Sequence, residues 1–222
     1  MKEMGLRWSF LGQNLILMPQ KALYWEEEKT LIVTDLHIGK VGHFRKAGIA
    51  IPRLLEQEDL AVLSDLIHSL RPAKLIFLGD LFHSEHNGDW NWLVLWRELF
   101  TDLEITLVKG NHDILHEDYY LEAGFKLTEK LTVAPFEFVH EPADMSAGAQ
   151  AYSISGHVHP AVKLRGKGRQ SITLPCFYFG QQQAILPAFG RFTGCCCLSN
   201  IQNASVFGIL QHKVVRLHGE AN

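Results

Sequence analysis

Three stretches of the chain share a pattern, an apolar run that stops abruptly at a polar residue. LIVTDLHIGK (31–40) carries Leu31, Ile32 and Val33 into Asp35 and His37, AKLIFLGD (73–80) ends on Asp80, and EITLVKGNHD (104–113) closes on Asn111 and His112. Apolar runs without alternation predict strands covered on both faces, as in the middle of a sheet flanked by helices. Between the first two, IPRLLEQEDLAVLSDLIHSL (51–70) places Pro52 near a helix start, with a buried face of Leu55, Val62, Leu63, Leu66, Ile67 and Leu70. DWNWLVLWRELF (89–100) predicts a second helix. The first half therefore reads as alternating strand and helix.

From about residue 125 the pattern changes to short strands without long helices: KLTEKLTVA, FEFVHE, AYSISGHVHP, AVKLRGKGRQSITLPCFYF and ASVFGILQHKVVRLH. Gly166-Lys167-Gly168 predicts a hairpin turn. Together the halves predict an α+β fold with an α/β-type first half, two stacked sheets flanked by helices. No repeat, low-complexity tract or linker composition interrupts the 222 residues, so one domain spanning 1–222 is expected.

Composition adds mainly exclusions. With 47% hydrophobic and 20% charged residues and a net charge of -3, the chain has no global basic face for tight nonspecific binding to nucleic acid. The amino terminus lacks the features of a secretory signal, and no window holds the roughly 18 apolar residues of a membrane span, so a cytoplasmic protein without membrane contact is expected. The cysteines, Cys176 and the run Cys195-Cys196-Cys197, lack zinc-site or disulfide-framework spacing. They read as reduced, packed thiols in strands.

The polar residues at strand ends form five groups: Asp35 with His37, Asp80, Asn111 with His112, His140 after FEFV, and His157 with His159 after Gly156. Sheets of this type gather ligands at the carboxyl ends of their strands, so distant groups are brought to one edge. Two residues apart on an extended chain, Asp35 and His37 would point the same way and grip one object. Oxygen and imidazole donors in this number suit two transition-metal ions sharing a bridge, with no thiolate among them. Asp80, after the permissive Gly79, is the natural bridge.

This set, DLH at 35–37, GD at 79–80, GNHD at 110–113, His140 and GHVH at 156–159, resembles the calcineurin-like metallophosphoesterase superfamily, with the motifs in that family's order. The resemblance implies the metallo-dependent phosphatase fold, a four-layer α-β-β-α sandwich of two mixed sheets flanked by helices. It implies one divalent ion on Asp35, His37, Asp80 and His159 and another on Asp80, Asn111, His140 and His157. Manganese is the leading candidate, with iron, zinc or nickel compatible. His112 becomes the candidate general acid. Where the superfamily often writes GDxxD, this chain has GDLFH, placing His83 beside either the bridge or the substrate.

The implied reaction is hydrolysis of a P–O bond by hydroxide generated between the two ions. The loop GKVGHFRKAGIAIPR (39–53) carries Lys40, His43, Arg45, Lys46 and Arg53, and KLRGKGR (163–169) follows GHVH. Both stretches fit either contacts to phosphates beyond the scissile one or solvated basic loops. The blocks HIGKVGHFRKAGI and GDLFHS resemble the ligase-associated DNA damage response endonucleases, the PdeM group. That resemblance implies a nuclease or phosphodiesterase in DNA repair, with nucleic acid as substrate and a DNA ligase and helicase as partners. A phosphomonoesterase or nucleotide pyrophosphatase, or an idle scaffold, are the alternatives.

Overall fold

A computed structural model describes residues 5–42, 54–83, 85–142, 151–168, 170–199 and 201–219. Four antiparallel strands open the chain: β1 (Leu6–Phe10), β2 (Gln13–Leu17), β3 (Leu23–Trp25) and β4 (Thr30–Val33). β5 (Lys74–Leu78), β6 (Glu104–Val108) and β7 (Lys126–Thr128) then add in parallel, completing a sheet ordered β1 to β7. Parallel neighbours need crossovers. These are α1 (Leu54–Leu70), α2 (Gly88–Glu98) and α3 (Glu117–Glu122).

β4 sits at the centre of this sheet and is buried along its whole length. Leu31 and Val33 face the helices, while Ile32 faces the second sheet. From the helices, Leu60, Leu63, Leu66 and Ile67 of α1 and Trp90, Leu93 and Trp96 of α2 pack on the same face as Phe77 and Leu107. α2 starts where the Asn87 side chain accepts the Asp89 N–H at 2.8 Å, and Arg97 lies in its last turn, charges that complement the helix dipole.

The second sheet contains β8 (Leu131–Val133), β9 (Phe136–Phe138), β10 (Tyr152–Ser155), β11 (Pro160–Arg165), β12 (Ser171–Phe179), β13 (Gln183–Ile185), β14 (Cys196–Cys197), β15 (Ser205–Leu210) and β16 (Lys213–His218). The order is β14-β11-β12-β13-β10-β9-β8, with β15 beside β12 and β16 beside β15. Phe136, Phe138, Phe177 and Phe179 bury against Leu17, Trp25, Ile32 and Ile76 of the first sheet, and Trp25 meets Phe136 edge-on at 5.0 Å. This aromatic layer locks the sheets face to face. The described helices all lie against the first sheet, and the outer face of the second carries a small cluster around Val162, Leu174 and Val206.

The structure departs from the sequence reading in several places. Residues 6–25 form three strands the pattern did not announce, since their alternation is irregular and the strands are short. Helix α3 has six residues, too few for a periodic signal. The carboxyl-terminal stretch is a hairpin turned at Gln211, where φ is 53°. Cys176 is buried as expected, but Cys195, Cys196 and Cys197 are exposed free thiols rather than packed ones, because β14 is a two-residue edge strand. Pro52 and the side chain of Leu55 lie outside the described residues. No helix among the described residues is long and apolar enough to cross a membrane.

Candidate metal centre

Past the last residues of β4 and β5 the two chain segments continue side by side. Asp35 N–H donates to Gly79 O (3.1 Å), His37 N–H to Asp80 O (2.9 Å) and His83 N–H to Ile38 O (2.7 Å). The second sheet meets them from the opposite side, with His140 after β9 and with His157 and His159 between β10 and β11. Asp35 and His37 do not share a face through extended backbone, as the sequence suggested. β4 ends at Val33, and both residues have left-handed backbone, with φ of 54° and 52°. Asp80 (53°), His157 (64°) and His159 (52°) share that conformation. Each costs an L-residue roughly 1–2 kcal/mol. Strain of this kind concentrates where function requires it.

Two sets of donor atoms result. Asp35, His37 and His159 form one, and Asp80, His140 and His157 the other, the atoms of each lying within 4.8 Å of one another. Asn111 joins the second set, its Oδ1 3.2 Å from His140 Nε2. Asp80 stands between them: Oδ2 lies 3.7 Å from His37 Nε2, while Oδ1 lies 3.3 Å from His140 Nε2. The buried Asp35 Oδ1 has no hydrogen-bond donor, although His159 Nε2 is 3.2 Å away. Such a spacing without a hydrogen bond is what two ligands of one ion show, since donors roughly 2.1 Å from a metal and at right angles stand about 3 Å apart. These nitrogen and oxygen donors therefore fit divalent ions.

Electrostatics agree. Burial drives the His37 pKa down to about 3 against the pull of Asp80 and Asp35, leaving a neutral imidazole able to donate a lone pair. Burial also opposes ionisation of Asp80, but His140 and the His112 N–H outweigh it and hold the carboxyl at about 2. Burial works against a charged His140 as well. Its hydrogen bond to Asp80, that carboxylate's charge and the Leu78 carbonyl win, raising it to about 9.

Gly79 has φ +80°, and a Cβ there would fall inside the His140 ring; a Cβ on Gly110 would strike Asp80. The glycines that precede two of the motifs are thus places where one donor-bearing segment passes directly over another.

His112 is pinned by its backbone N–H to Asp80 Oδ1 at 2.9 Å, and its ring centroid is 5.3 Å from that of His37. His83 Nδ1 lies 3.2 Å from His37 Nδ1, and its ring is 4.3 Å from that of His112. His83 thus touches two site histidines. His43, Arg45, Lys46 and Arg53 lie outside the described residues. The second basic stretch leads away, because β11 advances about 3.3 Å per residue and sets Arg165 roughly 20 Å along the strand from His159.

Sequence reasoning missed three supporting groups. Thr34 Oγ1 lies 2.7 Å from Asp35 Oδ2 and 2.8 Å from Leu78 O, fixing the carboxylate. The fully buried Asp113 accepts the N–H groups of Phe82 (3.0 Å) and Gly110 (2.9 Å), tying the second motif to the third. The Gly194 carbonyl lies 3.2 Å from His159 Nδ1, from whose N–H it can accept a hydrogen bond. Only Asp113 left a signal, as the last residue of GNHD.

Comparison with known proteins settles the family. The model for calcineurin-like phosphoesterases matches residues 28–143. The chain belongs to the calcineurin-like phosphoesterase family. Among solved structures, the nuclease MPE of Pseudomonas putida is similar to this chain with a TM-score of 0.81 and 29% identity, covering 96% of this chain and 99% of that one. The phosphoesterase Yfce of E. coli reaches a TM-score of 0.44 at 13% identity over 85% of this chain and 97% of its own, too distant to bear on the site. A search of curated proteins gave no match. The calcineurin-like assignment and the donor sets make this chain a metal-dependent hydrolase of phosphoester bonds.

Proposed function

We propose that the chain is a phosphodiesterase acting on nucleic acid through two divalent ions. Asp35, His37, Asp80 and His159 hold one ion, and Asp80, Asn111, His140 and His157 the other. The observation that carries this reading is Asp80 facing one histidine set with each carboxylate oxygen. When bound, the ions supply an activated water and neutralise charge on the phosphate. Manganese is our first assignment; the donor types suit iron, zinc and nickel as well.

The chain's own residues do the rest. Thr34 fixes the Asp35 carboxylate and the Gly194 carbonyl fixes the His159 imidazole, so this donor pair is preorganised for an ion. His83 positions His37 through its Nδ1 and leaves Nε2 to face the site. His112 carries the proton that the departing oxygen needs, a role worth about 10²–10⁴-fold in rate. Likeness to the P. putida nuclease supports a nucleic acid as substrate. The resemblance of its loops to the ligase-associated endonucleases supports a place in DNA repair beside a ligase and a helicase, in the cytoplasm.

The test is a substrate panel with Mn²⁺. Hydrolysis of bis(4-nitrophenyl) phosphate and cleavage of single-stranded DNA are expected. A purified chain that hydrolyses phosphomonoesters while leaving both diesters intact overturns the reading.

A further inference from the structure

The exposed run Cys195-Cys196-Cys197 belongs to neither donor set. Its backbone is tied to a donor residue at two points: the Gly194 carbonyl lies 3.2 Å from His159 Nδ1, and Cys196 N–H donates to His159 O at 2.9 Å. β14 runs parallel to β11 with Cys196 opposite Pro160 and Cys197 opposite Ala161, and Leu198 N–H continues the ladder onto Ala161 O at 2.9 Å. Earlier in the same segment Phe189 N–H donates to Thr34 O (2.8 Å) and Gly190 N–H to Asp35 O (3.1 Å), while Thr193 Oγ1 donates back to Gly190 O (2.8 Å). Residues 189–197 thus form one strap that holds both Asp35 and His159, whose donor atoms stand 3.2 Å apart.

Cys196 has strand backbone, so the side chains of Cys195 and Cys197 leave the same face, with Cα atoms about 6.6 Å apart at a rise of roughly 3.3 Å per residue. A disulfide spans Cα separations of roughly 4.4–6.8 Å, commonly about 5.5–6 Å. This pair therefore stands at the long end of the bonding range, and closing it draws the segment together. Adjacent cysteines fall below that range, since consecutive Cα atoms are about 3.8 Å apart, and in a strand they point to opposite faces. Contraction between 195 and 197 moves the residue between them. That residue, Cys196, carries the N–H bound to His159.

We propose that Cys195 and Cys197 are a modification site for peroxide, forming a reversible disulfide whose closure withdraws the strap from His159 and weakens the first ion's site. The inference rests on the metal-centre reading above and adds to it a control that acts through the backbone rather than on a ligand atom. In the first step one thiol sulfur takes an oxygen atom from hydrogen peroxide and becomes a sulfenic acid, releasing one water. The second thiol's sulfur then attacks that sulfur, the S–S bond forms, and the hydroxyl leaves with the thiol proton as a second water. Two thiols lose two hydrogens and two electrons, and the peroxide gains them. A strained, exposed disulfide is readily reduced by a dithiol, which restores the strap.

The test uses the full chain, freed of metal and treated with hydrogen peroxide. The reduced, folded protein should react with three maleimides, because Cys176 is buried, and the oxidised protein with one. Its intact mass should fall by about 2 Da, the two hydrogens lost. Mn²⁺ affinity, read by calorimetry, should drop about tenfold on oxidation and return with dithiothreitol. Cys195→Ser and Cys197→Ser should each keep their affinity after peroxide, whereas Cys196→Ser should still lose it. A wild type that keeps three reactive thiols, or gains oxygen without losing two hydrogens, overturns the disulfide. One that forms the disulfide with Mn²⁺ affinity unchanged overturns the coupling to His159. A reduced wild type that takes up no Mn²⁺ overturns the metal-centre reading and the coupling together, and the maleimide count still decides the disulfide.

Discussion

Asp80 and His112 are neighbours through one hydrogen bond, yet their substitutions should separate cleanly. Asp80→Asn removes the charge shared by the two donor sets, so metal content should fall and activity drop by at least about 10²-fold. His112→Ala should keep its metal and lose about 10²–10⁴-fold in turnover. Equal loss of metal in both variants, measured by elemental analysis beside kinetics, removes His112 from its role. Proton linkage offers a second residue-level check. His140 keeps its proton to about 9 in the metal-free chain, above the ordinary 6.5, so it contributes stability below pH 6.5 that is lost as pH rises through 9. Below 6.5, His37 and Asp113 oppose one another, since burial lowers the first and raises the second. The metal-free melting temperature should therefore fall between pH 6.5 and 9. Uptake of Mn²⁺ at pH 7 should release about one proton, as calorimetry in buffers of different ionisation enthalpy would show. A flat alkaline limb with no proton release contradicts the assignment of His140.

At the scale of elements, the loops that carry the ligands depend on close crossings. Gly79→Ala would drive a methyl into the His140 ring from a backbone at φ +80°. Weaker Mn²⁺ binding, by tenfold or more, is expected with a lowered melting temperature; unchanged binding would show that the crossing is not needed. In α1, Leu63 is completely buried against the first sheet, so Leu63→Ala should cost about 2–5 kcal/mol in denaturant unfolding. These elements also show what could be read in the chain. β4, β5 and β6 were legible because burial on both faces writes an unbroken apolar run, and α1 and α2 because one buried face writes a helical period. β1 to β3 were not, since short antiparallel strands leave no such signature. The clustered donor residues were legible as strand ends; their left-handed backbone was not, because Asp35, His37, Asp80, His157 and His159 take it under tertiary constraint rather than by preference.

For the whole molecule, the two sheets are the device that assembles the site. Asp35, His37, Asp80 and Asn111 come from the first sheet's edge, His140, His157 and His159 from the second's, and the aromatic layer of Trp25, Phe136 and Phe138 holds the edges in register. Separations such as the 122 residues between Asp35 and His157, whose N–H donates to Asp35 Oδ2 at 3.0 Å, are closed only by that packing. Loosening the interface should therefore weaken metal binding at a distance: Phe138→Ala is expected to cost about 3–5 kcal/mol of stability and to lower Mn²⁺ affinity in the folded fraction. The most direct measurement is anomalous diffraction from crystals grown with Mn²⁺. Two peaks are expected, one among Asp35, His37 and His159 and one among Asn111, His140 and His157, with Asp80 between them. A single peak, or peaks away from Asp80, would contradict the dinuclear centre.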